Sequence, residues 1–370
     1  MIRVLVDNAI PFLNELMPPE VAVTSVPGDK ISSELCQNHQ ALIVRSITQV
    51  NRELVEGTSI EFVGSATIGI DHIDTEYLHN TGIHWSNAPG CNAMAVVQYV
   101  LSAIAYWNLK KNFMFQNTAV GIVGFGEVGR RLHQTLTDLG ASVVVFDPFK
   151  KDLIGINQVF SLERLIEAAN IITFHVPLTQ HGLFPTYQMF NSNLIQNYSL
   201  AGKLIINSSR GNVFTEAAIS EWVMRGGQCV LDVWPDEPNI SSNLLSNLLL
   251  GTSHIAGYSL EGKLNASASV INQLSRHFKL KDDFGQLNFK GELTDQQLLE
   301  DEFITDINQW LLTSYNIEAD SMALKMLKTD NLSEGFSGLR NSYAFRHDFR
   351  GQSSNHAVFS KLLRGWKRLN

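Results

Sequence analysis

Short apolar, β-branched runs recur along the first ninety residues, at 3–6, 41–44, 61–63 and 83–85. Helix-like segments and turns separate them, which predicts a small parallel α/β sheet. The turn Ala88-Pro89-Gly90-Cys91-Asn92 breaks the pattern. A long helix is predicted next, over about 93–109. Its Ala, Val, Tyr and Trp positions suit burial on more than one side, as in a helix bridging two domains. From residue 118 the alternation resumes, with strands predicted at 120–123, 143–146, 171–174, 204–207 and 229–233. These runs are apolar throughout, the pattern of a parallel sheet covered on both faces. A second long helix, over about 261–278, is expected to return the chain to the first zone. Beyond Lys281 the pattern is mixed, with a strand predicted near 287–289 and a helix around 295–312. No internal repeat is visible.

A length of 370 residues suggests two to three domains. Apolar residues make up 44% of the chain and charged residues 17%, enough for sizeable cores and too few charges for disorder. A net charge of -8 argues against a general nucleic-acid or anionic-membrane surface, while leaving room for a local cationic pocket. The N-terminal run reads as a buried strand rather than a signal peptide, and no apolar stretch reaches the roughly 18 residues of a membrane span. Cytoplasm is therefore the expected location. Cys36, Cys91 and Cys229 are scattered, suggesting neither a disulfide framework nor a metal cluster. Cys91, beside a Pro-Gly turn, is expected as a small buried residue rather than a reactive thiol.

The candidate chemistry begins where the strand 119–123 breaks into Gly124-Phe125-Gly126-Glu127-Val128-Gly129. Such a turn, opening a helix over 127–139 that stops at Gly140, builds an anion site at the helix N-terminus. Asp147 ends the next strand, at the spacing of an acid that bonds the ribose hydroxyls of NAD. Strand ends later in the same zone carry Asn207-Ser208-Ser209-Arg210-Gly211, Asp232 to Pro238, and His254. In a doubly wound sheet the carboxyl ends of the strands are where ligands bind. An Arg there can grip a carboxylate with paired bonds. A His paired with a carboxylate makes a general acid-base. His175, in His175-Val176-Pro177-Leu178, competes with His254 for that role. Its turn suits the lining of a cofactor, so His254 is preferred with Glu237 as its partner.

These motifs together resemble the D-isomer-specific 2-hydroxyacid dehydrogenases. Narrower matches at Leu5-Val6-Asp7-Asn8, Val44-Arg45-Ser46, residues 66–74, residues 88–93 and residues 254–263 point to the branch acting on 4-phospho-D-erythronate. The resemblance implies NAD-dependent oxidation of that acid to 2-oxo-3-hydroxy-4-phosphobutanoate, a step of pyridoxal 5'-phosphate (vitamin B6) biosynthesis. Alternatives are the same chemistry on another D-2-hydroxy acid such as 3-phosphoglycerate, or an NAD(H)-sensing protein without catalysis.

By the resemblance, Arg210, Glu237 and His254 are catalytic. Gly124, Gly126, Glu127, Val128, Gly129, Asp147, His175, Val176, Ser208, Ser209, Asp232 and Gly257 would bind NAD. Ser46, Thr67 and Tyr258 would contact substrate. Arg45, after a strand of the first zone, is expected on the substrate phosphate unless it pairs with a nearby carboxylate; Arg346 and Arg350 are expected to add to it from a partner subunit. Ile70 stands where a small polar residue is expected, so no role is carried to it. The implied fold is α/β, with a Rossmann-type NAD domain (93–261), a smaller flavodoxin-like substrate domain (1–92 and 262–281), both doubly wound parallel sheets, and a C-terminal α+β module (282–370) that makes a homodimer.

Overall fold

Strands β1 (Ile2–Asp7), β2 (Val21–Val26), β3 (Ala41–Val44), β4 (Phe62–Ser65) and β5 (His84–Ser86) pair in parallel, in the order β2-β1-β3-β4-β5. This is the flavodoxin-like order. The computed structural model describes residues 1–150, 156–159, 161–280 and 296–369. It divides into two units, Met1–Asn92 with Ser259–Asp295, and Ala93–Tyr258 with Gln296–Asn370. In the first unit β3 and β4 are fully buried, and β3 is an unbroken apolar run as that burial requires. The edge strand β2 is not legible in the pattern, because Thr24 and Ser25 interrupt it and half its surface faces solvent. The helix Leu260–His277 lays Leu264, Val270, Ile271 and Leu274 against Val4, Val6, Ile43 and Phe62. Gly64 allows that approach, since a Cβ there would lie 2.4 Å from the Val270 side chain. Cys91 packs with Ala88 and Ala266 in a small apolar cluster.

The second unit is built on β6 (Ala119–Val123), β7 (Ser142–Phe146), β8 (Ile171–Phe174), β9 (Leu204–Asn207), β10 (Gln228–Leu231) and β11 (Leu250–Gly251). They pair in parallel in the order β7-β6-β8-β9-β10-β11. A bridge between Val145 and Gln158 extends the sheet beyond β7. Counted from β6 with that bridge as the third strand, the order is 3-2-1-4-5-6-7, the 3-2-1-4-5-6 arrangement of dinucleotide-binding folds with β11 added at the far edge, and it reverses between β6 and β8. The helix Ala93–Lys111 is buried from Ala93 to Ala105 on every side, at the centre of this unit's core.

The C-terminal residues share that core, with Trp310, Phe349, Phe359 and Trp366 packed into the same cluster as Tyr99 and Trp107. They form the two-stranded parallel sheet β12 (Gln297–Leu298) and β13 (Gln352–Ser353) and the helices Ile307–Ser314, Ile317–Lys325, Leu332–Asn341 and Ala357–Trp366. The helix expected from residue 295 starts only at Ile307. Asp306 caps it, accepting from the Asn308 and Gln309 amides at 2.7 and 3.1 Å. Buried Asp301 is taken by Trp310 Nε1 at 2.8 Å, which holds the preceding stretch in an irregular path. The strand expected at 287–289 and the module boundary at 282 lie outside the described residues. Among the described residues no helix is long and apolar enough to cross a membrane.

Candidate active site

The glycine loop joins β6 to the helix Glu127–Asp138. Gly124 has φ 92°, and a Cβ there would lie 2.5 Å from the His175 carbonyl oxygen, so the loops after β6 and β8 touch where the strand order reverses. A Cβ on Gly129 would meet the Gly124 carbonyl at 2.1 Å, so only glycine lets the helix sit this close to the strand. Gly126 is different, with open space around it. It also heads the helix without a side-chain cap, leaving the amides around Glu127, Val128 and Gly129 to an anion. The Glu127 side chain turns to Arg130 and Arg131 at 2.8 and 2.5 Å. Arg130 foremost, with Arg131, holds its carboxyl down at about 2, so its negative charge is compensated beside the anion site. These features fit the pyrophosphate of a dinucleotide.

Asp147 follows β7 and is tied to the loop. Its Oδ2 accepts from the Phe125 amide at 2.8 Å and its Oδ1 from the Phe149 amide at 3.0 Å. Lys150 folds back onto the Phe125 carbonyl at 2.7 Å. His175 follows β8, bonded through Nε2 to Thr173 Oγ1 at 2.9 Å, with half-buried Val176 beside it. Burial pushes its imidazole down to about 3, so it stays neutral at working pH and is poorly suited to cycle a proton. An unfolded chain would protonate the same imidazole below about pH 6.5. The unfolded state thus binds the extra proton, and this group's contribution to stability is present above pH 6.5 and lost as pH falls from there towards 3. His175→Gln is therefore expected to flatten the fall of Tm between pH 7 and pH 5, measured by thermal melts. An unchanged slope would show that this imidazole does not carry the effect.

At the end of β9, Asn207 organises the loop that bears Arg210. Its Oδ1 accepts from the Ser209 amide and hydroxyl at 3.0 and 2.7 Å, and its Nδ2 donates to the Arg210 carbonyl at 3.0 Å. Ser208 precedes them, its hydroxyl buried and without a hydrogen-bond partner among the described residues. A Cβ on Gly211 would lie 1.8 Å from the Trp234 carbonyl oxygen, so the Arg210 loop is seated against the segment that leads to Glu237. Arg210 itself is half-buried, with Nη1 on the Ser209 carbonyl at 2.8 Å.

Glu237 and His254 meet at Oε1 and Nδ1. Glu237 Oε2 also accepts from the Trp234 amide at 3.1 Å. Burial raises the Glu237 carboxyl, but the His254 bond and charge, the Trp234 amide and the Arg340 charge outweigh it and keep it below its ordinary value. Ionised Glu237 can only accept, so it holds a proton on His254 Nδ1, and Nε2 is the nitrogen that serves as base when the ring is neutral. His254 has φ 59°, a left-handed backbone that costs on the order of 1–3 kcal/mol. Asp232 offsets this. It is 1% exposed, and its carboxylate accepts from Thr252 Oγ1, the Ile255 amide and the Ala256 amide at 2.7, 2.8 and 2.9 Å. Its backbone carbonyl takes the His254 amide at 2.8 Å. The strand expected to reach Val233 ends at Leu231, because Asp232 turns towards this loop.

The C-terminal region brings residues to the same loop, among them Arg340, Tyr343 and Phe345, which no local pattern marked. Arg340 Nε donates to the Tyr258 hydroxyl at 3.3 Å, and the rings of Tyr343 and Phe345 pack edge-on against Tyr258. Arg346 donates to the carbonyls of Ile255, Ala256 and Tyr258 at 3.2, 2.7 and 3.1 Å, flanking Gly257, and lies 4.0 Å from the Tyr315 ring centre. Arg350 pairs with Asp348 at 2.6 Å. Arg346 and Arg350, the residues expected to reach a substrate phosphate from a partner subunit, make these bonds within their own chain.

Of the expected substrate contacts, Tyr258 lies beside His254, while Arg45, Ser46 and Thr67 belong to the first unit. Arg45 donates Nε and Nη2 to Asp7 at 2.7 and 3.3 Å, the carboxylate pairing that was the alternative for it. Ser46 is exposed. Thr67 Oγ1 donates to the Gly69 carbonyl at 2.9 Å and bonds Ser65 Oγ at 2.7 Å.

Residues 104–256 match the family model of the D-isomer specific 2-hydroxyacid dehydrogenase NAD-binding domain. The chain is similar to solved structures of NAD+-bound 3-phosphoglycerate dehydrogenase from Entamoeba histolytica (TM-score 0.65, 22% identity, 76% of this chain and 97% of that one). It is likewise similar to D-lactate dehydrogenase from Aquifex aeolicus with NAD and lactic acid (TM-score 0.62, 20% identity, 75% and 95%). These likenesses concern the fold. In sequence it is 37% identical to the erythronate-4-phosphate dehydrogenase of Bacteroides thetaiotaomicron over 94% of this chain and 97% of the relative. It is 35% identical to that of Baumannia cicadellinicola over 95% and 94%. With relatives of this identity matched along nearly their whole length, and with the glycine loop and the His254–Glu237 pair in place, the chain belongs to the erythronate-4-phosphate dehydrogenase family of D-isomer-specific 2-hydroxyacid dehydrogenases.

Proposed function

We propose that this chain oxidises 4-phospho-D-erythronate at C2 with NAD, giving 2-oxo-3-hydroxy-4-phosphobutanoate for pyridoxal 5'-phosphate synthesis. The observation that carries the reading is the His254–Glu237 pair, set in a dinucleotide-binding unit whose neighbouring strand end bears Arg210. NAD, when bound, supplies the acceptor for the C2 hydride. His254 Nε2 takes the proton of the C2 hydroxyl as the C2–O bond becomes a carbonyl. Glu237 holds the ring by Nδ1 and stabilises the imidazolium that results. Arg210 pairs with the substrate carboxylate and the developing carbonyl oxygen. Ser46, Thr67 and Tyr258 complete the substrate contacts in this reading. Asp147 selects NAD, since its charge repels a 2′-phosphate.

A homodimer through the C-terminal region is part of the proposal. Phe303, in the turn before the helix Ile307–Ser314, and Met326, at the end of the helix Ile317–Lys325, are 95% and 77% exposed, apolar surface that a subunit contact would cover. A cytoplasmic location is also part of it, supported by three cysteines that form no disulfide. The test is a rate panel on the purified chain, with 4-phospho-D-erythronate, 3-phosphoglycerate and D-lactate, each with NAD and NADP. The expected result is preference for the first acid with NAD, from a species of twice 41.2 kDa by light scattering. Faster oxidation of 3-phosphoglycerate would overturn the substrate, equal rates with NADP the role of Asp147, and a stable monomer the dimer.

A further inference from the structure

Arg340 lies on the helix Leu332–Asn341, about eighty residues beyond the loop that carries His254. It is half-buried, and its one hydrogen bond among the described residues runs from Nε to the Tyr258 hydroxyl at 3.3 Å. Both terminal amino groups of its guanidinium are left without a hydrogen-bond partner there. No carboxylate of the described residues forms an ion pair with it, unlike Arg45, whose charge is met by Asp7 at 2.7 Å, or Arg350, met by Asp348 at 2.6 Å. Arg346, six residues on, has its guanidinium taken up by backbone carbonyls. Arg340 therefore brings a positive charge that no ion pair among the described residues takes up to the Tyr258 side of the His254–Glu237 pair. Its field reaches the pair, since it helps keep Glu237 ionised.

An arginine placed this way has a ready use in a protein of net charge -8. The general field repels a phosphate dianion, so the site must supply cations of its own. A planar guanidinium with two free amino groups matches two phosphate oxygens, and a tyrosine hydroxyl beside it offers a third donor. Resting on the substrate reading above, we infer that Arg340, with Tyr258, is the specificity-determining contact for the substrate's 4-phosphate. Arg340 thus comes from the same chain as His254, and the C-terminal region shapes the substrate site as well as any subunit contact.

The experiment compares wild type, Arg340→Ala and Arg340→Lys on 4-phospho-D-erythronate and on D-erythronate, with inorganic phosphate as inhibitor of the D-erythronate reaction. Losing a charge-assisted contact of this kind is expected to lower kcat/KM for the phosphorylated acid roughly ten- to hundredfold more than for D-erythronate, mainly through KM. Arg340→Lys should recover part of the difference, as a point charge without the planar fork. Inhibition by inorganic phosphate should weaken in Arg340→Ala in step. Equal losses on both acids, with phosphate inhibition unchanged, would overturn the assignment and leave Arg340 as a support for Tyr258 and Glu237. A wild type that itself prefers D-erythronate would sink the substrate reading instead, so the two failures are distinct.

Discussion

Replacing His254 with alanine is expected to cut turnover by about 10²- to 10⁴-fold while NADH binding, followed by fluorescence, changes little. The size follows from the role. Without an imidazole at this position the C2 hydroxyl proton has no acceptor held by Glu237, and water must serve. The independence of NADH binding follows from the architecture. The glycine loop and Asp147 lie at β6 and β7, whereas His254 follows β11 at the opposite end of the sheet order. His175→Ala should be the milder change, since that imidazole is held neutral by burial and bonded to Thr173. An inactive His175→Ala beside an active His254→Ala would reverse the assignment of the base.

The second large effect is expected from Arg346→Met. The side chain fits, but four carbonyls, those of Ala95, Ile255, Ala256 and Tyr258, lose a charged donor at once. Unmet acceptors in a packed setting cost about 1–3 kcal/mol each where water cannot replace the donor, so a loss of about 3 kcal/mol in stability is the expected order. The turn 255–258 is gripped from both sides, its amides by Asp232 and its carbonyls by Arg346. Releasing one side lets His254 leave its left-handed backbone conformation, so kcat should fall even at temperatures where the variant remains folded. Arg346→Lys should rescue little, because one ammonium cannot span four carbonyls on two segments. Melting curves with kcat measured well below Tm check both halves; full activity in a folded Arg346→Met would show that the turn holds without it.

The parts of the site that depend on local rules are legible in the order of residues alone. The fully buried strands β3, β4, β8 and β9 are short apolar runs with sharp ends, and their period and length decide the strand. Gly124, Gly126 and Gly129 stand where a turn, an open approach and a close helix contact each exclude a side chain. Arg210 can be placed at a strand end for the same reason, since it closely follows a run whose direction the parallel sheet sets. Edges are harder. β2 carries Thr and Ser on a half-exposed face, and β11 is only two residues long, so neither leaves a periodic signal.

What the chain alone determined, then, is each strand that buries both faces and each loop whose backbone geometry admits few residue types, because those constraints act within a handful of positions. Which charges are spent and which are free was decided only in three dimensions. Arg45, Arg346 and Arg350 look alike in sequence as candidates for a phosphate, yet Asp7, a set of carbonyls and Asp348 occupy them. Arg340 carried no mark at all, and it reaches Tyr258 across 82 positions only because the C-terminal helices pack into the same core as the helix Ala93–Lys111. A guanidinium binds whatever acceptor folding places beside it, and that neighbour is set by long-range packing that no local pattern encodes.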